Sequence, residues 1–171
     1  MTRALKFVLD TNVLVEAHRR YYAFDIAPCF WRVLSELAES GYIVSIDRVK
    51  NELMESSQED ALVKWALSKF DQWFVSTERE EVFEAYRQLI DWSSGDNQYY
   101  DYAKAEFASV ADSWVVAFAK AFNFIVVTQE QYVRDVKRKI PIPNACRAMG
   151  VYYMNTCQRR NIIDPVATKR K

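Results

Sequence analysis

The sequence predicts an α/β fold, a three-layer α/β/α sandwich around a central and mostly parallel sheet. Five short apolar segments, Lys6–Leu9, Tyr42–Ile46, Trp73–Val75, Phe124–Val127 and Val151–Met154, have the length of buried strands. Stretches of helical spacing separate them, and strands that alternate with helices pair in parallel with both faces covered. From Val110 to Phe122 nearly every residue is apolar, the pattern of a helix buried on all sides.

Taken in order, the first strand ends at Asp10, and Asn12 is placed to cap a helix carrying Val13, Leu14 and Ala17. An aromatic stretch with Tyr21, Tyr22 and Phe24 follows. Pro28 then opens a helix through Trp31, Leu34, Leu37 and Ala38, because proline is pre-set for a first helical turn. Gly41 stops that helix. After the second strand, Asp47 caps a helix with Val49, Leu53 and Met54. A helix over about 59–70 spaces Leu62, Trp65, Ala66, Lys69 and Phe70, and another covers about 80–91. Residues 93–101, SSGDNQYYD, read as the most loop-like stretch, with the loop continuing to about 108. No internal repeat occurs.

The 171 residues, 20.1 kDa, suit a single domain over 1–171 with a basic tail from about 165 to 171. Half of them are apolar, enough for a core without staples. Cys29, Cys146 and Cys157 are an odd number with no CxxC pair, so reduced thiols are expected. The apolar N-terminal stretch is too short for a signal peptide, and no run is long enough to span a membrane; a cytoplasmic location is expected. Net charge is zero, yet residues 131–171 carry +8 and the first 130 carry −8. A basic end on an acidic body can guide a polyanion towards carboxylates; a solvated tail accounts for it equally well.

Composition excludes several chemistries. Gly41, Gly95 and Gly150 build neither GxGxxG nor GxxxxGK, which removes the usual nucleotide cradles, and no GxSxG elbow exists. His18 is the single histidine, so His-cluster and HExxH zinc sites are impossible; it reads as a helix-surface residue.

What remains is carboxylate chemistry. Asp10 follows the first strand, Asp47 and Glu52 the second, and Glu130 the fourth, while Asp112 opens the buried helix that feeds the fourth. In parallel sheets ligands sit beyond the carboxyl ends of the strands, so these acids share one rim. Crowded carboxylates raise one another's pKa, and a divalent cation removes that penalty. Hard oxygen ligands suit Mg²⁺ or Mn²⁺. Each acid also has an ordinary reading: Asp10 and Asp47 as caps, Glu52 as an exposed helix residue, Asp112 in a Ser109-x-x-Asp112 capping box, Glu130 in a polar turn. Their joint placement favours the site.

Residues 7–17, FVLDTNVLVEA, resemble the opening strand and turn of PIN domains; VKNEL at 49–53 and VADSWVVAFAKAFNFIVVTQE at 110–130 resemble the family's later acidic positions. The resemblance covers about residues 5–155 and implies a PIN-like fold with Asp10, Glu52, Asp112 and Glu130 as metal-binding and catalytic acids, supported by Asn12 and Thr128. It further implies an endonuclease that cuts single-stranded RNA with Mg²⁺ or Mn²⁺. Similarity to VapC-type members implies the toxin of a bacterial toxin–antitoxin pair, a homodimer inhibited by a small antitoxin protein. The chain departs from the pattern at Glu130, where the family often has aspartate. The 93–108 loop and the 18–31 block also exceed a minimal PIN domain, which suggests a distinct bacterial branch.

For RNA, Arg19, Arg20, Tyr21 and Tyr22 combine cations with stacking faces, as do Tyr99, Tyr100 and Tyr102 with Lys137, Arg138 and Lys139. Packing is the ordinary reading of these tyrosines, and a solvated helix face that of Arg159 and Arg160. Two other functions compete. A non-catalytic PIN-like RNA-binding or interaction module is consistent with the Glu130 departure. Phosphotransfer through an aspartyl intermediate, as in haloacid-dehalogenase-like or receiver-like folds, also places an acid after the first strand; the former usually carries a DxDx[TV] string, which Asp10-Thr11-Asn12 does not supply, and the latter needs an acidic pair on the first strand and a phosphorylated aspartate later.

Overall fold

Val8, Leu9, Ile46 and Val126 have at most a trace of exposed surface, as a parallel sheet covered on both faces requires. The computed structural model describes residues 5–55 and 59–155. Its strands are β1 (Phe7–Leu9), β2 (Ile43–Ile46), β3 (Phe74–Val75), β4 (Ile125–Val127) and β5 (Tyr153–Met154). All pairings are parallel, in the order β3-β2-β1-β4-β5. Phe7 sits between Ile43 and Ile125, and Leu9 faces Val127. The chain runs outward through β2 and β3, then crosses back to β4 and β5. That reversal opens a crevice beyond the carboxyl ends of β1 and β4, where Asp10 and Thr128 lie.

The helices are α1 (Thr11–Glu16), α2 (Pro28–Glu39), α3 (Asp47–Met54), α4 (Ala61–Trp65), α5 (Glu80–Gly95), α6 (Asp101–Ser109), α7 (Ala111–Phe122) and α8 (Ile142–Met149). They complete the α/β/α sandwich, with α7 against β1, β4, α5 and α8. Pro28 opens α2, and Gly41 follows it at φ 74°. Among the described residues no helix is long and apolar enough to cross a membrane.

Several local expectations are corrected. Asn12 does not cap α1: Asp10 holds the cap position without a capping bond, and Asn12 lies inside the first turn. Asp47 is the first residue of α3 rather than its cap. Its carboxylate accepts from Arg48 N (2.8 Å), Thr77 N (3.0 Å) and Thr77 Oγ1 (2.8 Å), tying α3 to the segment after β3. The Ser109 capping box is not formed, since Val110 caps α7 and Ser109 Oγ donates to the Glu106 carbonyl. The helix expected over 59–70 divides into α4 and a π-helical turn, Ala66–Phe70.

The supposed loop 93–108 is largely helical. α5 runs on to Gly95, and α6 occupies 101–109 with Ala103 and Phe107 buried. α8 went unpredicted because its eight residues, IPNACRAM, include a proline and a short apolar pattern. Gly150 ends it at φ 67°, a conformation costly for other residues. His18 is only part-exposed: its ring packs on Phe24 (5.2 Å) and Trp31 (6.4 Å), Nε2 lies 3.7 Å from Asp60 Oδ1, and Nδ1 is buried and unpartnered. Cys29 and Cys146 are free thiols. Cys157, Arg159, Arg160 and the basic tail lie outside the described residues.

Candidate functional site

Asp10 is fully buried at the end of β1. Its backbone N–H donates to Val127 O at 3.1 Å, continuing the β1–β4 pairing by one residue. That register sets its side chain beside Thr128, whose Oγ1 donates to Asp10 Oδ2 at 3.0 Å. The other oxygen, Oδ1, is buried with no hydrogen-bond partner, an arrangement that costs roughly 1–3 kcal/mol. Burial, together with the charges of Asp112, Glu130 and Glu52, holds the Asp10 carboxyl well above the usual carboxylate range, against the Thr128 hydrogen bond.

Asp112 stands in the first turn of α7. Burial pushes its pKa up to about 7, with the charges of Glu130, Glu52 and Glu106 adding to the rise and Lys139 opposing it. Its carboxylate accepts no hydrogen bond among the described residues.

The two glutamates are differently placed. Glu52 Oε2 accepts from Thr11 Oγ1 at 2.6 Å, and Oε1 accepts from Ala111 N at 2.9 Å. It therefore ties the residue after Asp10 to the residue before Asp112 and satisfies an open N–H at the start of α7. Glu130 Oε2 accepts from Ile142 N at 2.7 Å, the equivalent position of α8, while Oε1 pairs with Lys139 Nζ. Each glutamate thus closes a helix N-terminus, whereas Asp10 keeps one buried oxygen without a partner. Replacing Glu52 with alanine is expected to cost about 1–2 kcal/mol, lowering the melting midpoint by roughly 2–8 °C in a chain of this size. An unchanged midpoint in a thermal scan would refute the bridging role.

A cleft of about 130 Å³ opens between Glu52, Glu106, Asp112 and Lys139, floored by Ala103, Phe107, Val110 and Ile140. Beyond Glu52 and Val110 lies a wider one of about 470 Å³, lined by Arg48, Asn51, Glu55, Ser109, Ala111 and Trp114. Among the described residues, no three His, Cys, Asp or Glu side chains already converge tightly enough to hold a metal ion. The reason is visible in the hydrogen bonds: Glu52 and Glu130 point their oxygens at backbone N–H groups, Thr11 and Lys139. Asp10 and Asp112 nevertheless fit a hard cation, because one has an orphaned buried oxygen and both are destabilised as anions. Mg²⁺ needs only one or two carboxylates and keeps several waters.

The other expected residues lie as follows. Thr128 is buried and serves both Asp10 and the Glu130 N–H (3.1 Å). Asn12 is half-buried in α1. Arg19, Arg20 and Tyr21 lie in a π-helical turn after α1, where Arg20 pairs with Glu16 at 3.0 Å. Tyr22 stacks on Phe30 at 4.2 Å, which uses one face of its ring. Tyr99 belongs to the core, its hydroxyl accepting from Asn144 Nδ2; Tyr100 and Tyr102 are exposed. Two contributors were missed. Thr11 anchors Glu52, and α6 supplies Glu106 to the cleft wall. Ala103 and Phe107, four residues apart, were the available signal for that helix.

Two solved structures share this architecture. VapBC2 from Rickettsia felis, crystallised bound to a DNA fragment from their promoter, is 16% identical, with a TM-score of 0.53 over 88% of this chain and 98% of that one. FitAcB from Neisseria gonorrhoeae is 18% identical, with a TM-score of 0.51 over 87% of this chain and 96% of that one. At such identities the likeness is one of fold, and the fold is the α/β PIN-like one. No curated protein matches the chain. The family model described as "Domain of unknown function (DUF4411)" matches residues 7–161, and the chain belongs to that family.

Proposed function

We propose that this protein is a divalent-metal-dependent endoribonuclease of single-stranded RNA, acting as the toxin of a bacterial toxin–antitoxin pair. The observation that carries the nuclease reading is the buried Asp10 carboxylate, one oxygen unpartnered, beside Asp112 at the switch point of a PIN-like sheet. The toxin assignment rests on the resemblance to VapC-type chains and on the shared fold of VapBC2 and FitAcB. A small antitoxin protein as partner and a homodimeric state belong to the same proposal.

In this reading Asp10 and Asp112 hold Mg²⁺ or Mn²⁺ directly. Bound there, the ion supplies an activated water, polarises the phosphoryl oxygen and neutralises developing charge. Glu52 and Glu130 act around it, Glu52 fixing the spacing of the two aspartates through Thr11 and Ala111 and Glu130 adding negative charge while it stays bonded to the Ile142 N–H and Lys139. Thr128 orients Asp10, and Asn12 takes a supporting role on the resemblance alone. Arg19, Arg20, Tyr21 and the free face of Tyr22 bind RNA by phosphate contacts and stacking.

Asp10→Asn and Asp112→Asn are each expected to lower cleavage of a single-stranded RNA by roughly 100-fold or more, since even outer partners of metal ligands are worth 10–100-fold. Gel assays with Mg²⁺ or Mn²⁺ measure this; equal rates for the three proteins would refute the site. A second reading, a non-catalytic PIN-like RNA-binding or interaction module, draws on the hydrogen bonds that already occupy Glu52 and Glu130. RNA binding that ignores both Mn²⁺ and chelator would favour it.

A further inference from the structure

Lys139 is the one cation among the described residues lining the narrower cleft, facing Glu52, Glu106 and Asp112. Its ammonium pairs with Glu130, whose side chain is only 14% exposed and is also held by the Ile142 N–H. Glu130 therefore cannot swing out to solvent without uncovering the start of α8. The lysine backbone is fixed as firmly. Ile140, the next residue, is buried, and Pro141 caps α8. On the other side, Tyr100 N donates to Lys137 O at 3.0 Å, and Gln98 Nε2 donates to the carbonyls of Arg134 and Val136 at 2.9 Å. An ordinary surface ion pair has neither anchor and contributes about 0–1 kcal/mol.

We propose that Lys139 is a built-in second cation, so that the site takes one divalent ion per chain at Asp10 and Asp112, with the lysine ammonium beside Glu130 in place of another ion. In phosphodiester hydrolysis with two ions, each stabilises one of the attacking and leaving oxygens. The Lys139 ammonium carries a fixed positive charge and three N–H donors, suited to a phosphate oxygen of the substrate. It also neutralises part of the acidic cluster before any ion arrives. The inference rests on the divalent-ion nuclease reading above.

Equilibrium dialysis and calorimetry with Mn²⁺ on the full chain test it without reference to activity. The wild type is expected to bind one Mn²⁺. Lys139→Met is expected to bind two, with the first tighter by at least about tenfold as a nearby like charge is removed. Lys139→Arg, which keeps the charge, is expected to behave as the wild type. Lys139→Gln repeats the charge removal if Lys139→Met does not fold, as judged by thermal melting. Two ions on the wild type, or one ion with unchanged affinity on both neutral variants, would overturn the proposal. A wild type that binds no Mn²⁺ overturns the nuclease reading itself.

Discussion

Asp112→Asn is expected to melt higher than the wild type above pH 7 and at about the same temperature near pH 4. In the folded chain Asp112 keeps its proton up to about pH 7, against 3.8 for an ordinary aspartate. Between these values the folded state binds more protons than the unfolded one, so stability falls as pH rises. The contribution is fully present below about pH 4 and is lost as pH passes about 7. At 1.36 kcal/mol per tenfold change in proton affinity, the loss is on the order of 4 kcal/mol. That corresponds to roughly 10 °C in a chain of this size. Asparagine mimics the protonated acid at every pH, which is why the two proteins converge in acid. Asp10, held high by burial and its neighbours' charges, acts in the same direction. Mn²⁺ added at pH 8 is expected to return the wild-type midpoint towards its acid value and to leave Asp112→Asn nearly unmoved. Thermal scans at pH 4.5 and 8 measure both effects. An offset between the two proteins that does not change with pH would show that the aspartate is not strained as an anion.

The second large effect lies in the aromatic block at one side of the sheet. Trp31→Ala is expected to cost about 3–5 kcal/mol, a drop of roughly 6–20 °C. Trp31 is 2% exposed. It stacks on Phe24 at 4.4 Å and meets Trp65 at 4.7 Å and Phe30 at 5.2 Å. Its Nε1 donates to Tyr22 O at 2.7 Å, so the substitution also frees the segment that carries Arg19–Tyr22. Denaturant unfolding of the variant measures the cost. A loss below about 1 kcal/mol would mean that this segment packs independently of α2.

These expectations divide unequally between sequence and structure. The five strands differ from their predicted spans by a residue or two at most, because apolar β-branched runs bounded by polar residues are a local pattern. α7 is legible for the same reason: an almost unbroken apolar stretch has one home, the interior. α6 was lost because SSGDNQYYD has a turn composition that masked the Ala103–Phe107 spacing beyond it. α8 was lost because eight residues hold too little periodicity to stand out. His18 is more covered than a helix-surface reading implies because its ring neighbours Phe24 and Trp31 come from other parts of the chain.

The acidic rim shows where local reading stops. The sequence alone placed Asp10, Glu52, Asp112 and Glu130 towards one rim of the sheet, since the alternation of strands and helices along the chain follows from short-range patterning. Only the tertiary structure decided which acids are satisfied and which are exposed to one another. Glu52 finds its partners 41 and 59 residues away in Thr11 and Ala111, and Asp10 finds Thr128 at a separation of 118. Hydrogen-bond partners at such distances are chosen by sheet register and helix placement, and no window of sequence contains both ends of the bond.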